Sequence, residues 1–353
     1  MGYLAPLTLP FVTALVASLC LTPLAGALAG RLGIVDHPDT RKIHGRPTPL
    51  LGGVAIALAL CAGALASGAL GDSTSLVVLT SSAGILLLGI CDDCNPRAAG
   101  LRWWLRLLYE GCLAGLVVAV GVRITMFGTA WLDALLTVVW IVGLANAFNL
   151  LDNMNGLSAG VASIAGLTFA VLAARYAEIG PEQLPAARGA AALAGACIGF
   201  LPRNIGGRIF MGDAGSLVLG FQLGCLAVQG SWRSPTVPTS LIIPLLVLAY
   251  PLFDTALVVL LRVTHGQSPF VGGRDHSSHR LVRLGISRLE TVLLIYLFAA
   301  SHSLTALLVS SVTFRLSLLA LAGSVSVLFI FGMVLRKAPA WGTWTPQGGA
   351  DHG

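Results

Sequence analysis

Two adjacent carboxylates end an apolar run in the stretch GILLLGICDDCNPR, residues 84–97. The sequence carries no charge from Ser73 to Cys91, and Asp92 and Asp93 follow at once. A charged carboxylate near the membrane interior costs roughly 2 to 3 kcal/mol, and two neighbouring ones repel each other, which raises one pKa. The pair therefore predicts a bound cation or a proton-accepting group, with a helix end that faces water as the simpler alternative.

A second polar group, NAFNLLDNMNG, closes a later apolar run. Asn146, Asn149 and Asn153 recur at spacings of three and four residues, so they are predicted to share one helical face, with Asp152 and Asn155 beside them. Amide and carboxylate oxygens are ligands for a hard cation such as Mg²⁺, and amides also bind a base or a sugar. Helix capping before the next glycine explains one or two of these residues but not all five.

Asp213 lies in the stretch IFMGDAGSL, between two glycines and just ahead of another apolar run. Exposed N–H groups at the start of a helix suit anions, and Gly212 and Gly215 would let a phosphate approach the backbone. A role for Asp213 as the N-cap of its own helix is the competing interpretation.

Two basic loops complete the polar clusters. In DHPDTRKIHGRPTPLLGG, residues 36–53, we expect Arg41 and Lys42, with His44 beside them, to form an anion clamp; a solvated basic loop is the alternative. The loop at 265–288 is predicted to bind pyrophosphate, because arginine forks match phosphate oxygens. Its histidines do not have the spacing of a zinc site. The candidate ligands in this loop are Arg274, His276, His279, Arg280 and Arg283.

Two further acids lie inside apolar runs. Glu110 follows Arg106 by four residues, which predicts an i, i+4 ion pair. Asp254 follows a Tyr-Pro step, and the sequence leaves open whether it is structural or lines a cavity.

The elements that must position these residues are membrane helices. Of the 353 residues, 56% are hydrophobic and 10% are charged, against about 25% charged in a soluble domain. A crossing needs about 20 apolar residues, and lipid-exposed backbone must be helical or part of a closed barrel, whose alternating pattern is absent. We therefore predict an all-α polytopic membrane protein. Eleven crossings are predicted, at Thr8–Leu28, Gly52–Leu70, Ser75–Cys91, Trp103–Val122, Ala130–Phe148, Leu157–Ala177, Ala186–Leu201, Ser216–Val228, Ser240–Leu261, Thr291–Ser310 and Leu316–Leu335.

Charge predicts the orientation. Sixteen of the 21 Lys and Arg residues fall in one set of loops, which the positive-inside rule places in the cytoplasm together with all the polar clusters. The net charge of +6 is then a topology signal and not a sign of nucleic-acid binding. We expect one transmembrane catalytic domain over residues 1–337, a retained first helix instead of a cleaved signal peptide, and a disordered cytoplasmic tail at 338–353. Cys91 and Cys94 form a C-x-x-C pair without further metal ligands and are interpreted as packing residues.

The five motifs, in this order, resemble the polyprenyl-phosphate N-acetylhexosamine-1-phosphate transferases, most of all the bacterial undecaprenyl-phosphate GlcNAc-1-phosphate transferases. The resemblance runs from Asp36 to about Ser287 and rests on DHPDTRKIHGRPTPLLGG, CDD, NAFNLLDNMNGLSAG, IFMGDAGSL and RDHSSHRLVRLG. It implies an enzyme that moves a sugar 1-phosphate from a UDP-sugar to undecaprenyl phosphate and releases UMP, with Mg²⁺, or Mn²⁺ in its place. It also implies a bacterial inner-membrane protein that initiates a cell-envelope glycan, with its active site on the cytoplasmic face; a homodimer is left open.

The resemblance assigns roles to particular residues. It implies that Asp92 deprotonates or positions the lipid phosphate with Asp93 as its partner, and that Asn149 and Asp213 bind Mg²⁺. Asp152 matches a further essential acid. The residues implied in substrate binding are Arg41, Lys42, His44, Asn146, Asn155, His276, His279 and Arg280.

Departures from the family pattern concern the choice of sugar. Asn155 stands where many bacterial members have Asp, Ser278 replaces a His, and Leu50 replaces an Arg. The three-histidine motif of enzymes that use UDP-MurNAc-pentapeptide is missing, so that donor is disfavoured. UDP-GlcNAc is the first choice, with UDP-GalNAc or a modified hexosamine as alternatives. A non-UDP donor, an inactive scaffold, and a transporter or flippase are the remaining alternatives; a carrier should place its polar groups near the bilayer midplane.

Overall fold

The computed structural model describes residues 2–37, 47–94, 102–178, 180–230, 241–268, 273 and 275–338. Within these ranges it is built almost entirely of helices, which confirms the predicted all-α membrane fold. The α-helices are α1 (Ala5–Leu32), α2 (Gly52–Ala66), α3 (Ser73–Cys94), α4 (Trp103–Ala119), α5 (Ala130–Leu151), α6 (Leu157–Ala177), α7 (Leu184–Ile205), α8 (Gly212–Gln229), α9 (Ile242–Val247), α10 (Ala249–Thr264), α11 (Ser277–Arg283), α12 (Arg288–Val309) and α13 (Phe314–Arg336).

Every predicted crossing coincides with helix. The segment predicted at 240–261 is divided between α9 and α10, and α11 is an added short helix in the loop that follows. By length and composition, seven helices among the described residues are apolar enough to cross a membrane, and α2 is a shorter apolar helix. The chain is therefore an integral membrane protein, while the number eleven stays a prediction.

Exposed apolar surface marks the side that meets lipid. Leu319 and Phe329 on α13 are 69% and 68% exposed, which in water would create an aggregation-prone patch. In the bilayer the same surface needs no partner, because lipid tails are as apolar as these side chains.

Helix α8 lies at the centre of the bundle, with residues 214–227 all buried. Close backbone contacts at two glycines place it there. A Cβ at Gly89 in α3 would overlap the backbone of Ala214, and a Cβ at Gly220 would overlap the backbone of Leu144 in α5. These contacts bring the last turns of α3 and α5 beside the first turn of α8.

A small hairpin, absent from the sequence-based prediction, precedes α2. Strands β1 (Val35–Asp36) and β2 (Thr48–Pro49) pair antiparallel, with Val35 opposite Pro49. The Phe210 N–H donates to the Pro49 carbonyl at 2.8 Å, which ties the hairpin to the segment before α8. The predicted anion clamp of Arg41, Lys42 and His44 belongs to the connection between the strands and lies outside the described residues.

Candidate active site

Four helix ends bring the acids of distant sequence segments together. The end of α3 supplies Asp92 and Asp93, and the first turn of α8 supplies Asp213. The end of α5 supplies Asn146 and Asn149, and Asp152 follows that helix directly. The first two turns of α4 contribute Arg106 and Glu110. We call this group the acidic centre; the predicted meeting of these side chains is seen in the structure, and their roles stay predictions.

Asp93 holds the start of α8. Its Oδ1 accepts the Asp213 backbone N–H at 2.9 Å, and its Oδ2 accepts the Ala214 N–H at 3.1 Å. The first N–H groups of a helix have no partner within the helix, so a carboxylate from α3 satisfies donors that would otherwise be unpaired. Gly212 has φ +69°, and a Cβ there would contact the Asp93 carboxylate. Asp93 thus fixes the geometry of its neighbours.

Asp213 does not cap its own helix, so the capping interpretation of this residue is wrong. The N-cap of α8 is Met211, without a side-chain bond, and the Asp213 side chain turns towards α4 and α5. Its Oδ1 accepts Asn149 Nδ2 at 2.9 Å and its Oδ2 accepts Arg106 Nη1 at 3.3 Å. The carboxylate is 39% exposed, which leaves it open to a ligand.

Arg106 lies between three carboxylates. The expected pair with Glu110 is confirmed at 3.2 Å, and Nη1 of the same guanidinium lies 3.2 Å from Asp92 Oδ2. Glu110 is fully buried and also accepts Asn146 Nδ2 at 2.5 Å. Asn146 is therefore joined to the other side chains of the acidic centre by its hydrogen bond to Glu110. Arg106 could have been suspected from its spacing to Glu110, but its contacts with Asp92 and Asp213 depend on how α3, α4 and α8 pack.

The acidic centre has an excess of negative charge. Asp92, Glu110 and Asp213 share the Arg106 guanidinium, and Asp93 and Asp152 add further carboxyl groups close to Asp213. Burial, with the charges of Asp213 and Asp93, raises the pKa of Asp152 to about 8. A carboxyl group that holds its proton above neutral pH indicates that the centre would gain stability from an added cation.

A magnesium ion fits this donor set. Asp213 and the Asn149 amide touch each other, and rotation of that amide would present its oxygen instead of its nitrogen. Among the described residues, no group of three or more His, Cys, Asp or Glu side chains could hold a metal ion alone. Mg²⁺ commonly binds through one or two carboxylates together with substrate phosphates, so a site completed by the substrate is consistent with this geometry.

The loop after α5 differs from the prediction. Helix α5 ends at Leu151, so Asn153 does not share the helical face of Asn146 and Asn149. Asn153 Oδ1 instead accepts the Ser278 hydroxyl at 2.7 Å, which joins this loop to α11. The prediction was wrong because the 3.6-residue period does not continue past the helix end.

Asn155 lies on the same loop and is exposed. It sits beside Gly207, where a Cβ would be 3.2 Å from Asn155 Nδ2. Buried Asn204, which the sequence analysis missed, holds this arrangement by accepting the Gly156 N–H at 2.7 Å and donating to the Ile209 carbonyl at 3.0 Å. The loops before α6 and before α8 are thereby fixed to each other, with Asn155 at their surface.

Asp254 anchors α11, which settles the two interpretations left open by the sequence in favour of a structural role. Its Oδ1 accepts the Ser277 N–H at 2.7 Å and the Ser277 hydroxyl at 2.6 Å, and its Oδ2 lies 2.8 Å from His276 Nδ1. Asp254 and His276 are 1% and 4% exposed. We call this group the anchor centre. His276, predicted to bind substrate, is occupied here in holding α11.

His279 and Arg280 lie on α11 and are half-buried. The rings of His276 and His279 are 6.3 Å apart, and Arg280 Nη1 donates to the Leu335 carbonyl at 3.1 Å. Arg262, buried in α10, lies 3.5 Å from Asp275 and supports the segment before α11. The structure thus places His279 and Arg280 on α11 with His276 at its N-cap, and Ser278 joins this helix to the loop that carries Asn155; Arg274 lies outside the described residues.

The sequence is similar to known membrane transferases. The family model for glycosyl transferase family 4 matches residues 75–231. A probable undecaprenyl-phosphate N-acetylglucosaminyl 1-phosphate transferase of Bacillus subtilis is 32% identical over 337 residues, covering 93% of this chain and 90% of the relative. A decaprenyl-phosphate N-acetylglucosaminephosphotransferase of Mycobacterium leprae is 32% identical, covering 84% of this chain and 81% of that protein.

A more distant relative spans the chain to a similar extent. The undecaprenyl-phosphate alpha-N-acetylglucosaminyl 1-phosphate transferase of Escherichia coli K12 is 27% identical over 337 residues, covering 89% of this chain and 87% of the relative. The similarity therefore includes every helix that contributes to the acidic centre.

Proposed function

Because the chain belongs to glycosyl transferase family 4, we propose that it transfers N-acetylglucosamine 1-phosphate from UDP-GlcNAc to a polyprenyl phosphate, with undecaprenyl phosphate as the first choice. The products are a polyprenyl-pyrophosphoryl sugar and UMP. The relatives named above act on undecaprenyl or decaprenyl phosphate. The observation that carries the proposal is the acidic centre, in which carboxylates from α3 and α8 and an amide from α5 meet at the ends of membrane helices.

The position of the acidic centre suits a reaction between a lipid and a water-soluble donor. A prenyl phosphate keeps its head at the membrane surface while its tail stays in lipid, so the two substrates can meet only at the interface. Helix α3 carries no charged residue until Asp92 and Asp93 in its last turn. This is why an apolar run stops at two carboxylates.

Each residue of the acidic centre has its own role in the proposed reaction. Asp213 and Asn149 would hold Mg²⁺, which, when bound, neutralises the phosphates and stabilises the leaving UMP. Asp92 orients or deprotonates the lipid phosphate, one of whose oxygens attacks the β-phosphorus as the bond to the bridging oxygen breaks. Arg106 keeps Asp92 and Asp213 beside each other. Asp93 holds the start of α8 and so positions Asp213.

Donor binding is assigned to the surrounding loops. Asn155 would contact the uridine, and His279 and Arg280 would contact the phosphates or sugar, with His276 positioning them from the N-cap of α11. Arg41, Lys42 and His44 would add positive charge from the loop between the two strands. The excess of basic residues on this side supports a bacterial inner-membrane enzyme whose active site faces the cytoplasm, where nucleotide sugars are made. A homodimer stays a prediction.

The experiment is an assay of the purified full-length protein with undecaprenyl phosphate and a panel of UDP-sugars, namely UDP-GlcNAc, UDP-GalNAc and UDP-MurNAc-pentapeptide. UMP and the lipid product are both measured, in Mg²⁺, in Mn²⁺ and after chelation. We expect equal amounts of UMP and lipid-linked GlcNAc, in the presence of metal only. Turnover that persists in chelator would overturn the metal assignment, and a lipid product from another donor alone would overturn the choice of sugar.

A further inference from the structure

The loop between α5 and α6 is held by side chains from other helices. Residues 152–156 form this loop, which carries Asn155 at its surface and ends at Gly156, the N-cap of α6. Gly156 has φ +81°, in the left-handed region that favours glycine. Asn204 of α7 accepts the Gly156 N–H at 2.7 Å, so the peptide group next to Asn155 is fixed from one side.

Tyr296 of α12 holds the other backbone group of Gly156. Its hydroxyl donates to the Gly156 carbonyl at 2.5 Å. The same carbonyl accepts the Gly160 N–H at 2.9 Å in the first turn of α6, so both of its lone pairs are used. Gly156 is therefore bonded to two other helices, α7 and α12, in addition to its own.

A glycine in α6 makes room for this tyrosine. A Cβ at Gly160 would overlap the ring and the hydroxyl of Tyr296. Glycine inside a helix is less stable than alanine, because it loses more backbone freedom on folding. Residue 160 is thus unfavourable for the helix itself, and what it permits is the approach of the Tyr296 hydroxyl to Gly156.

The segment that carries Tyr296 also carries the candidate phosphate ligands. Residues 284–287 connect α11 directly to α12, and Ser278 of α11 donates to Asn153 Oδ1 at 2.7 Å. The loop is therefore bonded to α11 on one side of Asn155 and to α12 on the other. Because the candidate phosphate ligands lie on α11, these two bonds fix the uridine side of the proposed donor site relative to its phosphate side.

We propose that Tyr296 is a positioning residue for the uridine nucleotide: it fixes the backbone of Gly156 and thereby holds Asn155 in place beside Gly207. This role rests on the proposed function, since it concerns the UDP-sugar. A loop that is already fixed loses less conformational entropy when a ligand binds, so the hydroxyl contributes to nucleotide affinity. Tyr296 acts through the backbone and not on the reacting phosphates, so its loss leaves the chemical step unaffected.

Steady-state kinetics and calorimetric UMP binding of the full-length protein in detergent test this with Tyr296→Phe, which removes only the hydroxyl. We expect KM for UDP-GlcNAc and the dissociation constant of UMP both to rise about threefold to tenfold. The kcat and the KM for undecaprenyl phosphate should stay the same. Gly160→Ala, whose methyl group displaces the ring, should raise the same two constants by at least as much.

Two matched controls lie away from the loop. Tyr3→Phe removes a hydroxyl before α1, at the other end of the bundle, and Gly323→Ala adds a methyl group that meets nothing within 4 Å. Both should leave all constants unchanged. Unaltered UDP-GlcNAc KM and UMP affinity in Tyr296→Phe would overturn the role of Tyr296, as would an equal rise in KM for both substrates, which indicates a generally loosened bundle.

Failure of the proposed function gives a different result. If the unchanged protein binds UMP but does not turn over UDP-GlcNAc, the proposed reaction is overturned, and UMP affinity in Tyr296→Phe still decides the role of this tyrosine. A protein that binds no UMP overturns both. If Gly160→Ala fails to fold, Tyr296→Phe alone decides.

Discussion

The acidic centre and the anchor centre are both built around an aspartate in the membrane bundle, and they differ in how completely that aspartate is satisfied. Asp254 has a side chain 2% exposed and accepts hydrogen bonds from Ser277 and His276, all at 2.6 to 2.8 Å. The Asp213 side chain is 39% exposed, with longer contacts and further carboxyl groups around it. A satisfied buried carboxylate stabilises a fold, whereas crowded, exposed carboxylates attract a cation.

This difference teaches that the type and depth of a residue do not assign its role. Asp213 lies in the first turn of α8 and Asp254 in the second turn of α10, and at either place a carboxylate without partners would cost free energy. The hydrogen-bond and ion-pair partners of each aspartate distinguish the two roles. Asp254 accepts hydrogen bonds from one neighbouring segment, whereas Asp213 shares the Arg106 guanidinium with Asp92 and Glu110. Substitutions at the acidic centre should therefore lower activity, whereas substitutions at the anchor centre should lower stability.

The largest expected effect is on activity at the acidic centre. Asp213→Asn keeps the size of the side chain and removes its charge, so we expect UMP release to fall about 10³-fold, equivalent to about 4 kcal/mol of transition-state stabilisation. The thermal unfolding midpoint should stay the same or rise, because one repelling carboxylate is lost. Initial rates and unfolding curves of the same preparation measure both effects.

A matched control is Glu178→Gln, which removes an exposed carboxylate at the other end of the bundle. It should leave both rate and unfolding unchanged. If Asp213→Asn retained full turnover, Asp213 would not be a metal ligand and the distinction between the two centres would fail.

The anchor centre should show the opposite pattern. Asp254→Ala leaves the His276 and Ser277 donors buried and unpaired, so we expect the free energy of unfolding to fall by about 3 kcal/mol. Reversible denaturation in mild detergent measures this, and proteolysis before α11 reports local opening. Asp254→Asn should lose less, because its amide oxygen can still accept the Ser277 N–H. An Asp254→Ala protein of normal stability would contradict the assigned role.

The pH dependence of metal binding is a further test of the acidic centre. Burial and the charges of Asp213 and Asp93 raise the pKa of Asp152, which belongs to this centre, to about 8. Below pH 8 Asp152 is protonated, so a cation must displace that proton, and metal affinity should rise with pH by up to about tenfold per unit. Above pH 8 the affinity should level off. Mn²⁺ binding followed by electron paramagnetic resonance between pH 6 and 9 measures this. Asp152→Asn should flatten the curve, and a curve of unchanged slope would remove Asp152 from the centre.

The sequence was sufficient for the helices but not for the contacts between them. Long apolar runs with few charges located a helix at each predicted crossing, since length and composition largely determine what a bilayer accepts. The aspartates of the acidic centre were also named from their positions at helix ends, whereas Arg106 and Glu110 were predicted only as an ion pair within one helix. That Asp93 would satisfy the first N–H groups of α8 could not be predicted, because this depends on the close approach of α3 and α8 at Gly89. The contacts of Arg106 with Asp92 and Asp213 were missed for the same reason.

The smallest expected effect concerns the link between the two centres. Ser278 donates from α11 to Asn153 at 2.7 Å, in the loop that carries Asn155. A hydrogen bond of this kind contributes about 0.5 to 1.5 kcal/mol, so Ser278→Ala should raise KM for the UDP-sugar about threefold to tenfold and leave kcat nearly unchanged. Ser326→Ala, which removes a hydroxyl bonded within α13, is the control and should change neither constant. If kcat fell while KM stayed constant, α11 would act on the reacting groups instead of on donor binding, and the two centres would form one catalytic unit.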